Sequence, residues 1–137
     1  MFNVISLKQL YAGHAQRAAL IASQYPTDAA GYTVVVDEDI DPINLEEVIW
    51  AMASRVEPER SIHILPYCRT ASPDPRVPIA EKRKYKTTPK PLMASRIVVN
   101  ACQPYEHKSE WYPVARMSPE LRQRTFDKWD EVLKELL

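Results

Sequence analysis

Residues Tyr32 to Arg55 read YTVVVDEDIDPINLEEVIWAMASR, and this stretch decides the fold. Tyr32 to Val36 is an almost unbroken apolar, β-branched run, the pattern of a strand covered on both faces, as in a parallel sheet flanked by helices. It runs straight into acid: Asp37, Glu38, Asp39 and Asp41. Asp41 followed by Pro42 has the chemistry of an N-cap and a proline at the first helical position, and Asn44 with Glu47 offers a competing capping box. Either way a helix begins here. Leu45, Val48, Ile49, Met52 and Val56 then fall on one stripe, and Glu57-Pro58 ends it because proline disfavours a helical residue before it.

The same alternation extends to both sides. Val4 to Leu7 is a short strand, Lys8 to Gly13 a turn, and His14 to Gln24 an alanine-rich helix. Its Ala15, Ala18, Ala19 and Ala22 lie on one face and permit close packing against a sheet. Ile62 to Leu65 is a third short strand. Strand, helix, strand, helix, strand is the signature of an α/β fold: a single three-layer sandwich with a mainly parallel sheet and right-handed crossovers. Six of the twelve prolines fall between Pro66 and Leu92, so residues 66–92 are expected to form one long loop without regular structure. Ile97 to Val99 resumes a strand, Gln103 to Met117 is aromatic and irregular, and Ser118, Pro119 and Glu120 cap an extended C-terminal helix. Residues 1–117 thus make the α/β domain and 118–137 an amphipathic helix. On that helix Leu121, Phe126, Trp129, Leu133 and Leu136 gather along one side, which must be buried, and a partner or a second subunit is the expected cover.

A chain of 137 residues with 45% apolar and 26% charged residues suits one globular domain. Eighteen basic residues balance eighteen acidic ones, so no net field recruits nucleic acid or an anionic bilayer, and no apolar run is long enough to span a membrane. Cys68 and Cys102 cannot build a disulfide framework, and without a secretory signal the cytoplasm is the expected compartment. Both cysteines are read as buried and structural. Only Gly13 and Gly31 are present, which excludes a dinucleotide fingerprint and a P-loop. His14, His63 and His107 match no zinc spacing, and His14 is expected to bond to nearby backbone. The acidic cluster 37–41 sits where open α/β sheets place ligands, but helix capping explains it better than a divalent cation. The basic run from Lys82 to Lys90 is read as a solvated surface.

Several phrases, taken in order, resemble the carboxy-terminal domain of UbiD-like decarboxylases: ISLKQLYAGHA from Ile5, VVVDEDIDP from Val34, LEEVIWAMASR from Leu45, PER from Pro58 and ASRIVVNA from Ala94. The Trp111 region and a terminal helix passing through Lys128, Trp129, Asp130 and Glu131 extend the likeness over nearly the whole chain. The resemblance implies one component of an enzyme that reversibly decarboxylates aromatic or α,β-unsaturated carboxylic acids with prenylated FMN. In that family the cofactor, its metal ions and the catalytic Glu-Arg-Glu set belong mainly to preceding domains, so it assigns this chain no catalytic, cofactor-binding or metal residue and predicts no activity for it alone. The implied roles are closure over the active site, lining of the substrate pocket, and oligomer contacts through the last helix. By position, Ser72, Pro73 and Asp74 are carried over as pocket-lining residues, although many relatives have leucine where this chain has Pro73. The partner implied is a flavin-bearing catalytic domain or subunit. Met1 falls just before a strand that in full-length relatives continues from the catalytic part, which implies an excised domain or a separately made subunit. The rival reading is a non-catalytic interaction or regulatory protein that keeps the fold.

Overall fold

The computed structural model describes residues 2–24, 31–88 and 90–136, without the side chains of residues 131, 133, 135 and 136. Strands β1 (Phe2–Leu7), β2 (Tyr32–Asp37), β3 (Ile62–Arg69) and β4 (Met93–Ala101) form one sheet in the order β1-β2-β4-β3. β1 and β4 both pair parallel to β2, with Val4 opposite Val34 and Val34 opposite Val99. The valine run therefore occupies the centre of the sheet. Thr33, Val34, Val35, Val36 and Asp37 are all at most 1% exposed, and each buried valine contributes about 1.5–3 kcal/mol relative to an exposed one.

Pleating divides that run between two cores. Val35 and Val98 meet Ala15 and Ala19 of α1 (His14–Gln24), together with Cys102. Val34, Val36, Val99 and Ala101 meet Val48 and Ala51 of α2 (Leu45–Arg55) on the other side. One helix on each face gives the three layers expected. Alanine on α1 is what lets the helix backbone approach the sheet so closely, since any longer side chain at Ala19 would meet Val35. Asn44 is the N-cap of α2, its side chain accepting from the amides of Glu46 and Glu47. Asp41 instead closes the preceding turn, accepting from the Ile43 amide, while Glu47 reaches back to the Asp41 amide. Of the two competing signals, Asn44 is the cap, and Asp41-Pro42 forms the turn before the helix instead of its first residues.

Two expectations are corrected. The third strand is not parallel: β3 runs antiparallel to β4 at the sheet edge, with Ile62 opposite Val99 and Arg69 opposite Met93. The reason lies in α2, whose last-turn Arg55 is bound to Asp37 and Asp39 at the carboxyl end of β2. The chain leaves α2 at that end, turns through the short helix α3 (Pro58–Ser61), and can only run back down the sheet. Nor are residues 66–92 one long loop. β3 continues through Pro66 to Arg69 by means of a bulge between Leu65 and Cys68, with Tyr67 at φ 54°, and a nine-residue helix α4 spans Ile79–Thr87. An edge strand tolerates a proline at a bulge, and Pro78 sits just before α4 where its missing N–H costs nothing. The prolines punctuate regular elements instead of abolishing them.

After β4 a 3₁₀ turn (Tyr105–Glu110) and an irregular segment lead to α5 (Pro119–Leu136), whose start is capped by Ser118 accepting from the Leu121 amide. Among the described residues no helix is long and apolar enough to cross a membrane.

Candidate functional site

At the carboxyl end of the sheet, Asp37 ties together five elements. Its side chain is 1% exposed and accepts from Gln9 Nε2 at 2.8 Å, the Gln103 amide at 2.6 Å, Lys108 Nζ at 3.0 Å and Arg55 NH1 at 3.3 Å. Arg55 in turn makes a two-pronged pair with Asp39 at 2.9 and 2.6 Å and stacks on Trp50 with its guanidinium 5.2 Å from the ring centre. The Arg55 hydrogen bond holds the Asp39 carboxyl below its ordinary range, against the opposing effect of burial. Cys102 lies beside this knot, and burial pushes its thiol up to about 12, with Asp37 adding to the effect. It is a neutral, inert thiol at physiological pH. Cys68 is half-buried, so only one of the two cysteines has the deep burial expected from sequence. His14 accepts from the Leu10 amide through Nδ1 at 3.3 Å, a backbone bond of the kind expected.

These contacts decide what the acidic cluster can do. The oxygens of Asp37 and Asp39 face Arg55 and Lys108, so cations of the chain itself occupy the positions a divalent ion would need. Among the described residues no group of three or more His, Cys, Asp or Glu could hold a metal. The described donors do not fit a flavin with its metal ions either, since nothing here combines free carboxylates with a glycine-rich cradle for phosphate.

The second candidate lies at the opposite end of the sheet. Because β3 runs antiparallel, the chain leaves it at Arg69 beside the start of β4, and the turn bearing Ser72, Pro73 and Asp74 projects from the amino end of the parallel strands. Ser72 and Pro73 are exposed, but Asp74 is only 2% exposed and does not face outward. Its carboxylate accepts from Thr70 Oγ1 at 2.6 Å, from the Arg76 amide at 3.0 Å, and from Arg76 Nε and NH2 at 3.0 and 2.6 Å. The Arg76 hydrogen bond holds the Asp74 carboxyl well below the usual range. Asp74 therefore shapes the turn while Ser72 and Pro73 are what the turn presents.

The third is an open apolar cleft of about 740 Å³ between the outer side of α2 and α5, walled by Trp50, Phe126, Trp129 and Met117. Arg116 fastens the segment before α5 to α2, bonding to the Asp39 carbonyl at 2.8 Å and lying 3.7 Å from Glu47. Leu121, Phe126 and Trp129 remain 49, 50 and 47% exposed. The side chains of Leu133 and Leu136 lie outside the described residues. Sequence reasoning missed Arg55, Lys108, Arg76 and Trp50. Arg55 alone had a legible signal: it continues the buried stripe of Val48 and Ala51 at spacings of three and four, and a cation on an apolar stripe must be paired.

Comparison with known proteins places this arrangement in a family. Residues 2–101 match the model of the 3-octaprenyl-4-hydroxybenzoate carboxy-lyase C-terminal domain, and the chain belongs to that UbiD family. Over 136 residues it is 29% identical to a phenolic acid decarboxylase of Sedimentibacter hydroxybenzoicus, an alignment covering 98% of this chain and 25% of that enzyme. The closed form of vanillic acid decarboxylase from the same organism superposes with a TM-score of 0.62 at 30% identity, covering 97% of this chain and 25% of that one. Its open form gives 0.63 at 29% identity, covering 97% and 26%. A UbiD-class enzyme from Pelotomaculum thermopropionicum in complex with FMN shares the fold, with a TM-score of 0.69 at 23% identity over 88% of this chain and 24% of its own. The chain thus spans about a quarter of the length of the relatives it matches.

Proposed function

We propose that this chain is the carboxy-terminal component of a UbiD-class carboxy-lyase acting on aromatic or α,β-unsaturated carboxylic acids, and that it serves closure and subunit assembly. The observation that carries the reading is the alignment of almost the entire chain with one quarter of a phenolic acid decarboxylase. Prenylated FMN and its metal ions would be held by the other three quarters, on a companion domain or subunit, and supply the bond-breaking chemistry there. This chain's own residues exclude water and orient. The exposed turn at Ser72 and Pro73 approaches the substrate, and the related vanillic acid decarboxylase, solved in open and closed forms, supports a moving part. The cleft of Trp50, Phe126 and Trp129, with the apolar side of α5, takes the neighbouring subunit in a larger assembly.

The test is co-purification followed by reconstitution. The chain should elute with a larger protein that absorbs as a flavin, and the pair should release carbon dioxide from a phenolic acid while neither does so alone. A colourless chain that captures nothing, or a pair without decarboxylation, would refute the reading and favour a repurposed interaction domain.

A further inference from the structure

The turn between β3 and α4 is held by a device that nothing in the family likeness predicts. The guanidinium of Arg76 is bound at every nitrogen: Nε and NH2 to the two oxygens of Asp74, and NH1 to the Ser95 carbonyl on β4 at 2.8 Å. Its tip lies over Gly31, while about a third of the side chain stays exposed (35%). A Cβ at Gly31 would come within 2.9 Å of Arg76 NH1 and 3.1 Å of its Cζ. Thr70 completes the assembly, its hydroxyl on Asp74 and its amide donating to the Leu92 carbonyl at 2.8 Å. Inside the turn, the Asp74 amide donates to the Ala71 carbonyl and the Val77 amide to the Asp74 carbonyl. The buried carboxylate thus receives a planar fork, a hydroxyl and a backbone amide, the combination that best fixes one geometry.

We propose that Arg76, bridging Asp74 and the Ser95 carbonyl with its tip over Gly31, is a positioning residue that locks turn 71–74 to β4, and that this lock makes Ser72 and Pro73 a fixed wall over the substrate. The second half rests on the decarboxylase reading above. Two exposed residues flanked by Ala71 and Pro75 have little packing of their own, so their order must come from Asp74 beneath them. A wall of this kind acts on orientation more than on binding: substrate still enters when the wall is loose, but fewer complexes are aligned for reaction.

The experiment has two arms. Hydrogen exchange on the full chain alone reads the amides of Asp74, Arg76 and Val77 in wild type, Arg76→Ala and Gly31→Ala. Arg76→Ala should exchange there at least about tenfold faster, with the β2 and β4 amides unchanged. Gly31→Ala crowds only the flexible tip of Arg76, which can shift aside, so its effect should lie between wild type and Arg76→Ala. In a complex reconstituted with Arg76→Ala, kcat for decarboxylation of a phenolic acid should fall about 10- to 100-fold below that of the wild-type complex, with KM little changed. Arg76→Lys should remain impaired, since an ammonium carries the charge without the fork. Unchanged protection in Arg76→Ala overturns the lock. Lost protection with unaltered kcat, or full recovery in the lysine variant, overturns the positioning role. A wild-type complex that releases no carbon dioxide refutes the decarboxylase reading and the wall with it, a failure distinguishable from that of the lock because exchange is read on the chain alone.

Discussion

Replacing Asp37 by Asn keeps the side chain's shape and removes its charge, and the structure allows the cost to be worked out. One carboxylate oxygen faces Gln9 and Lys108, the other the Gln103 amide and Arg55. Whichever position becomes NH₂ in the variant confronts two donors with a third, in a site 1% exposed where no water can substitute. Arg55, itself buried and already without a partner at Nε, loses one of its two counter-ions. Breaking a buried pair from one side costs about 3–5 kcal/mol, a large share of the ~5–15 kcal/mol that holds an ordinary domain together. With a urea m-value of about 1.5 kcal/mol/M, the midpoint of unfolding should fall by roughly 2–3 M, or the melting temperature by ~10–20 °C. The assay is urea unfolding followed by circular dichroism, repeated for Lys108→Met and the double variant. The two substitutions should couple by about 1–3 kcal/mol because they remove the same 3.0 Å contact. A loss below about 1 kcal/mol for Asp37→Asn at unchanged m, or strict additivity in the cycle, would refute the argument that this carboxylate has no substitute acceptor.

Stability should also depend on Asp74 in acid. Its folded pKa is depressed, so its contribution is complete above the unfolded value near 3.9 and drains away as pH falls below it. The stability gap between wild type and Asp74→Asn should be constant from about pH 5.5 to 7 and shrink steadily below about pH 4; a flat gap down to pH 2.5 would contradict this. Cys102, pushed up to about 12 and 4% exposed, should resist a thiol reagent at pH 8 until the chain is unfolded, so that at most one thiol titrates in the native protein. Trp129 is 47% exposed, so Trp129→Ala should cost the free chain about 1 kcal/mol or less, well short of the ~3–5 kcal/mol of a buried aromatic. A larger loss by urea unfolding would mean that α5 packs on its own domain. Ala19→Leu, at a position with no exposure, should destabilise by about 1–3 kcal/mol, and an unchanged midpoint would show slack between α1 and the sheet.

The primary sequence determined whatever depends on neighbours along the chain. The valine run from Val34 to Val36 could only be a central strand, the alanine face of His14–Gln24 could only be a close-packed helix, and Asp41-Pro42 with Asn44 and Glu47 marked the start of α2 to within a few residues. The family likeness, being carried by phrases of this local kind, was legible too. What the tertiary structure decided is direction and pairing. Alternation of strand and helix does not say to which end of the sheet a helix returns the chain. In the fold α2 ends at the carboxyl end of β2, where Arg55 meets Asp37, so β3 runs back antiparallel and the Ser72 turn lies at the end opposite the acidic cluster. The fate of Asp37 was equally hidden. Asp37 reads as an ordinary acid at a strand end and became a buried hub only when Lys108, 71 residues away, and Gln103 were brought against it, whereas the partners of Asp74, Thr70 and Arg76, lie within four residues of it. Periodicity and capping are short-range and written in order, whereas a buried charge is defined by whichever partner the completed fold delivers.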